Sequence, residues 1–215
     1  MIRARVILFD LDGVLVDSRE AIACVWLDWA ARRGVDPEPF IRVAQGRRIS
    51  ETLRLVAPHL DVAAETAALD ALEESETRGL RPAPGAAELL RLVPPERWGI
   101  VTSGSRPVAT LRLRVAGITP PQTFVTAEDV RHGKPAPDGY LAAAARLGAP
   151  PADCVVIEDS PPGIAAGKAA GMPVIAVATT HAPDALTAAD CCLAALTELR
   201  LDVTAAGFVL DAVSP

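Results

Sequence analysis

The sequence predicts an α/β fold: a doubly wound parallel sheet with an all-helical segment inserted after its first strand. Three observations carry this. Val6, Ile7, Leu8 and Phe9 run directly into Asp10, and a short, wholly apolar run closed by turn residues suits a strand covered on both faces. From about residue 86 onward strand-like and helix-like stretches alternate, the pattern of right-handed β-α-β crossovers. Residues 17–81 hold several helical stretches and no convincing strand. The chain therefore divides into a core of residues 1–16 and 82–215 and a helical insert of 17–81.

In chain order, Asp10 falls at the carboxyl end of the first strand, where open α/β sheets place their ligand crevice. Asp12 follows two residues later, on the same side of an extended backbone, and Gly13 permits a sharp turn. Ser18 is a plausible helix N-cap, and Ile22, Val25, Trp26 and Trp29 recur at helical spacing up to Gly34, with the tryptophans read as core of a small helical unit. Gln45, Gly46, Arg47 and Arg48 interrupt the next helical stretch, 50–55 is helical again, and 62–78 is a further helix. The charged run Glu73, Glu74, Glu76 reads as a solvated helix face. Two prolines and a glycine at 81–85 form a stiff return linker.

The remainder predicts strands at 98–101, 124–125, 154–157 and 173–177, helices at 86–93, 105–116, 138–147 and 162–170, and a terminal hairpin over 201–213 turning at Ala205, Ala206 and Gly207. Glycines 117, 148 and 171 end three of these helices.

Of the 215 residues, 50% are apolar and 22% charged, the balance of a soluble globular protein, and the net charge of −6 without a basic stripe argues against nucleic acid. No stretch reaches the roughly 18 apolar residues of a membrane span, and Asp10 interrupts the first apolar run too early for a signal peptide. Cys24, Cys154, Cys191 and Cys192 show no metal-ligand spacing and read as buried, reduced thiols of a cytoplasmic protein.

Four groups line up at strand ends. Asp10 and Asp12 come first. Thr102, Ser103, Gly104 and Ser105 follow the strand 98–101, and a hydroxyl with consecutive backbone N–H groups leading into a helix makes a phosphate cradle. Lys134, between Gly133 and Pro135, can be aimed inward as a point charge. Glu158 and Asp159 follow the apolar run 154–157, and hard oxygen ligands at a strand end suit Mg²⁺. Arg47 and Arg48 are candidates for contact with substrate phosphate or hydroxyls, with Gly46 allowing close backbone approach. His59, His132 and His181 lack a partner pattern and read as structural or surface residues.

Taken in this order, D-x-D-G, Thr-Ser-Gly-Ser, Gly-Lys-Pro and Glu-Asp-Ser-Pro-Pro-Gly resemble the four motifs of the haloacid dehalogenase (HAD) superfamily, over residues 6 to about 180. The chain is most similar to its sugar-phosphatase, glycerol-phosphate phosphatase and 2-deoxyglucose-6-phosphatase group, through stretches such as 97–104, 124–130 and 176–180. The resemblance implies a Rossmann-like core with a type I helical cap at 17–81 and a Mg²⁺-dependent phosphatase for small phosphorylated metabolites. In it Asp10 is the nucleophile and Asp12 the acid and base; Thr102, Ser103 and Lys134 bind phosphate; Asp10, the Asp12 carbonyl and Asp159 hold the metal, with Glu158 in or just outside its shell. Gly46, Arg47 and Arg48 would meet the substrate, although several relatives carry His-Gly where this chain has Gln45-Gly46. The resemblance leaves open a phosphomutase of the β-phosphoglucomutase type and a phosphoglycolate phosphatase. A receiver-type signalling domain lacks the helical insert, and a dehalogenase does not keep Asp12. No nucleic acid or membrane partner is expected, and the protein is expected to be a monomer or weak homodimer.

Overall fold

A computed structural model of the chain describes residues 1–212. Nineteen strands and α-helices follow one another: β1 (Ile2–Ala4), β2 (Val6–Phe9), β3 (Val16–Asp17), α1 (Arg19–Arg33), α2 (Glu38–Ala44), α3 (Ile49–Val56), α4 (Val62–Glu73), β4 (Arg81–Pro82), α5 (Ala86–Leu92), β5 (Trp98–Val101), α6 (Arg106–Val115), β6 (Thr123–Val125), α7 (Asp138–Arg146), β7 (Cys154–Glu158), α8 (Pro161–Ala169), β8 (Val174–Val177), β9 (Cys191–Leu193), β10 (Leu199–Thr204) and β11 (Gly207–Ala212).

Six strands form a parallel sheet in the order β6-β5-β2-β7-β8-β9. The apolar run of β2 lies at its centre, with Ile7 opposite both Trp98 of β5 and Val155 of β7. All four β2 residues are buried, because helices cover both faces of the sheet. From β2 the chain winds outward to β5 and β6 on one side, then to β7, β8 and β9 on the other. The order therefore reverses beside the carboxyl end of β2, the place where a doubly wound sheet opens a crevice.

Helices α1 to α4 pack on one another around Trp26, Trp29, Phe40, Leu53 and Leu69. Trp26 stacks on Phe40 with ring centroids 5.4 Å apart, and Trp29 Nε1 donates to Glu65 Oε2 at 2.8 Å, so the tryptophans form the core of this lobe. Asp61 caps α4 by accepting from Ala63 N and Ala64 N. The lobe joins the core through β3 and β4, which pair antiparallel with Val16 opposite Pro82 and Asp17 opposite Arg81.

Several local expectations need correction. The α4 helix ends at Glu73, short of residue 78, where Glu76 and Arg78 pair with each other instead. Of the four free cysteines only Cys154 is buried; Cys24 and Cys191 are half-buried and Cys192 is exposed. The terminal hairpin is present as β10 and β11, but it belongs to a separate three-stranded antiparallel sheet with β1; its expected end at Val213 lies outside the described residues. The short strands β1 and β9 carry too little pattern to be read in advance, and pairing with neighbours defines them.

Candidate active site

Three carboxylates and one ammonium meet where β2 and β7 end. Asp10 follows β2 directly, its N–H bonded to Ile157 O at 2.9 Å, and it is buried. Lys134 Nζ donates to Asp10 Oδ1 and to Glu158 Oε1, each at 2.6 Å. Glu158 has no free oxygen: Oε1 also accepts from Tyr140 Oη, and Oε2 accepts from Asp159 N, Ser160 N and Ser160 Oγ. Asp159 accepts the Thr180 hydroxyl. Gly13 and Gly163 make this packing possible, since a Cβ would lie 1.9 Å from Asp159 Oδ2 at the first and 1.7 Å from Glu158 Oε1 at the second.

The electrostatics separate these groups. Burial pushes the Asp10 carboxyl up to about 7 against the pull of Lys134, with Glu158 and Asp12 adding to the rise. Burial, then the Glu158 and Asp10 charges, lift Asp159 well above the carboxylate range. Burial also opposes ionisation of Glu158, but Lys134 and the Ser160 hydrogen bonds outweigh it and hold this carboxyl below its ordinary value. Burial likewise opposes the Lys134 ammonium, yet Asp10 and Glu158 hold it above the ordinary lysine value. Three carboxylates share one ammonium, so the cluster lacks positive charge when all are ionised.

That deficit is the test for a metal. Ligand oxygens of Asp10, Glu158 and Asp159 lie within 4.8 Å of one another, all three buried. With Glu158 committed to five donors, Asp10 and Asp159 are the carboxylates with coordination left to offer. Hard oxygens around a local negative excess fit Mg²⁺.

Above Asp10 opens a cavity of about 290 Å³ between the core and the helical lobe. Its wall includes Asp10, Asp12, Thr102 and Ser103 from the core and Gly46, Arg47 and Arg48 from the lobe, so the structure brings these sequence-derived candidates together. Lys134, Glu158 and Asp159 are not on this wall and reach it through Asp10. Thr102 Oγ1 accepts from Gly104 N, which shapes the turn into α6. Ser103 Oγ donates across the gap to Gly46 O at 2.9 Å.

Gly46 has φ +75, and a Cβ there would sit 2.2 Å from Ser160 Oγ, so only glycine lets the lobe come this close to the core. Arg48 lines the cavity and also bridges the lobe to the core. Its two Nη atoms donate to the carbonyls of Val130 and Arg131, which makes it a fastener between lobe and core; Nε is buried without a hydrogen bond, 3.9 Å from Glu51 Oε1.

Two residues escaped the sequence reading. Arg112, in α6 and only 5% exposed, donates from Nη1 to Asp12 Oδ2 at 2.7 Å and from Nη2 to Glu73 Oε1 at 3.0 Å. Glu73 is therefore buried and paired, and the expectation of a solvated face there is wrong; it holds only for its exposed neighbour Glu74. Burial raises the Glu73 carboxyl against the pull of Arg112. A signal existed: Arg112 stands on the face of α6 that carries Val108 and Ala109, four and three residues back, where an apolar residue is the norm. Ser18 occupies its N-cap position but makes no cap; its hydroxyl donates to Asp12 Oδ1 at 2.6 Å.

The chain is similar in sequence to proteins of known activity. It is 46% identical over 180 residues to hexitol phosphatase A of Escherichia coli, covering 81% of this chain and 83% of that protein. It is 38% identical over 197 residues to glycerol-1-phosphate phosphohydrolase 2 of Saccharomyces cerevisiae, covering 86% and 78%. Among solved structures, a HAD family hydrolase from Deinococcus radiodurans R1 with bound phosphate and sodium superposes with a TM-score of 0.66 at 32% identity, covering 92% of this chain and 94% of that one. The family model for haloacid dehalogenase-like hydrolases matches residues 4–171, which takes in the ends of β2, β5 and β7, and the chain belongs to that family.

Proposed function

We propose that this protein hydrolyses phosphate monoesters of small sugars or polyols with the help of Mg²⁺. The observation that carries the reading is the buried Asp10 carboxylate, paired with Lys134 on one oxygen and on the wall of a cavity that Asp12 also lines. The hexitol and glycerol phosphate activities named for its relatives support the substrate class.

The residues suggest a division of work. Asp10, the Asp12 carbonyl and Asp159 would hold Mg²⁺, which supplies positive charge against the mutual repulsion of carboxylate and phosphate dianion. Glu158 holds Lys134 and the 159–160 backbone in place. Lys134 and the Thr102–Ser103 turn offer an ammonium, a hydroxyl and backbone N–H groups to the phosphoryl oxygens. Asp10 attacks phosphorus while the bond to the ester oxygen breaks, giving an aspartyl-phosphate. Asp12 gives a proton to the departing alkoxide and then takes one from the water that attacks phosphorus, releasing phosphate and restoring Asp10. The helical lobe acts as the cap over the site, excluding bulk water while the ester reacts.

A panel of sugar, polyol and generic phosphate esters, assayed with Mg²⁺ and with chelator, tests this. Metal-dependent phosphate release that Asp10→Asn abolishes is the expected result. Release that persists in chelator, or that Asp10→Asn retains above about a tenth, overturns it.

A further inference from the structure

The cavity wall also carries polar groups to which the mechanism above gives no work. Thr52, in α3, is fully buried, lines the cavity, and its hydroxyl has no hydrogen-bond partner. Ser105 Oγ, at the entrance to α6, lines the same space and is also unpartnered. An unpaired buried hydroxyl costs free energy unless something fills its hydrogen bonds; both oxygens are closed to solvent here, so a ligand gains them only when these wall side chains turn towards it.

Asp70 completes the patch. It lies in α4, half-buried on the cavity wall, and no cation pairs with it among the described residues. Burial raises its carboxyl to about 6, and the charges that add to the rise are Glu73, Glu74 and Glu128, all carboxylates. The cations of the cavity are engaged elsewhere: Arg112 with Asp12 and Glu73, and the Nη atoms of Arg48 with two carbonyls. Arg47 lies on the loop beside Gly46 and is not among the groups acting on Asp70.

We propose that Asp70 and Thr52 select the leaving group, taking up a neutral, hydroxyl-bearing tail through their unpaired oxygens and excluding a tail that carries a second anion. This rests on the phosphatase reading above and sharpens it. A hydroxyl of the tail donates to Asp70 and another exchanges hydrogen bonds with Thr52. A second phosphate or a carboxylate would meet the unpaired charge of Asp70, with Glu128 on the same wall, and like charges repel.

The test compares four esters on wild-type enzyme with Mg²⁺: sorbitol 6-phosphate, glycerol 1-phosphate, phosphoglycolate and glucose 1,6-bisphosphate. p-Nitrophenyl phosphate serves as the control for the chemistry. If the control is turned over with Mg²⁺, the phosphatase reading stands regardless of the selectivity result. If no ester is hydrolysed, that reading fails first. The expected result is kcat/KM at least about 10-fold higher for the two neutral polyol phosphates, from the loss of complementary hydrogen bonds and the gain of repulsion. Asp70→Asn should narrow this gap by lowering KM for the anionic tails, with kcat little changed. Thr52→Val should raise KM for sorbitol 6-phosphate about 3- to 10-fold, and Thr52→Ser, which keeps the hydroxyl, should restore it. Wild-type enzyme that favours the bisphosphate would place the second anion at Arg47 and overturn the proposal. Equal ratios in wild type and Asp70→Asn would overturn it as well.

Discussion

Arg112 Nη1 donates to Asp12 Oδ2 at 2.7 Å while the same guanidinium holds Glu73 of the helical lobe at 3.0 Å. One side chain thus ties the second aspartate of the site to the lobe that covers it. With Ser18 on its other oxygen, Asp12 is fixed at both ends of its carboxylate.

Arg112→Ala should therefore cost most where a proton must reach a poor leaving group. We expect a loss of about 10- to 100-fold in kcat on a polyol phosphate, part of the roughly 10²- to 10⁴-fold that general acid catalysis supplies. p-Nitrophenolate leaves without a proton, so its ester should lose clearly less. Steady-state rates on both esters decide it, and equal losses would show that Arg112 acts only on the fold. The variant also strands the buried Glu73 and takes one partner from the half-buried Asp12, so thermal melting should report a destabilisation on the order of 3 kcal/mol. Arg112→Lys should recover part of both.

Asp10→Asn removes the attacking charge but keeps the shape and one acceptor for Lys134. Turnover should fall by at least about 10³-fold, since the nucleophile itself is gone. Circular dichroism should be unchanged. Asp159→Asn should leave the fold intact and shift the Mg²⁺ activation curve to higher concentration, measured by titrating metal into chelator-treated protein. A variant activated at the wild-type Mg²⁺ concentration would remove Asp159 from the metal set.

Gly46→Ala places a methyl group against Ser160 at a backbone angle that side chains rarely adopt. The loop is at the lobe edge, so the protein should still fold, while the lobe cannot seat fully. The KM for a polyol phosphate should rise by about 10-fold, the scale of one or two lost contacts. A KM equal to wild type would mean that the approach of Gly46 to Ser160 does not control closure.

Asp70 makes a pH-dependent contribution whose sign follows from its raised carboxyl. Its folded value, about 6, lies above the ordinary 3.8, so its ionisation costs stability. That cost is absent below about pH 4 and grows as the pH rises through 6. Asp70→Asn should then stabilise the protein at pH 7 by on the order of 1 kcal/mol, discounted because the residue is half exposed to solvent. At pH 4 the difference should vanish. Denaturant melts at the two pH values measure it, and an equal effect at both would assign the change to packing.

The sequence by itself determined the core strands and the order of the groups at their ends. The apolar runs 6–9, 98–101 and 154–157 admit only buried strands, and the residue after such a run in a parallel sheet must stand at its carboxyl edge. Asp10, Thr102 and Glu158–Asp159 were therefore legible from local pattern, and Lys134 from its place between glycine and proline. What only the tertiary structure decided are the partners across long separations. Arg112 and Glu73 lie 39 residues apart, and that each is the other's partner emerges only when α6 and α4 are packed together. Arg48 carries the same ambiguity, because an arginine in a loop can reach substrate or backbone, and only the fold brings it to the Val130 and Arg131 carbonyls while keeping it on the cavity wall. Thr52 shows the physical reason most plainly. A lone threonine on a helix gives no signal in sequence, and its unpaired hydroxyl acquires meaning only when the lobe closes over the core and buries it at a cavity wall.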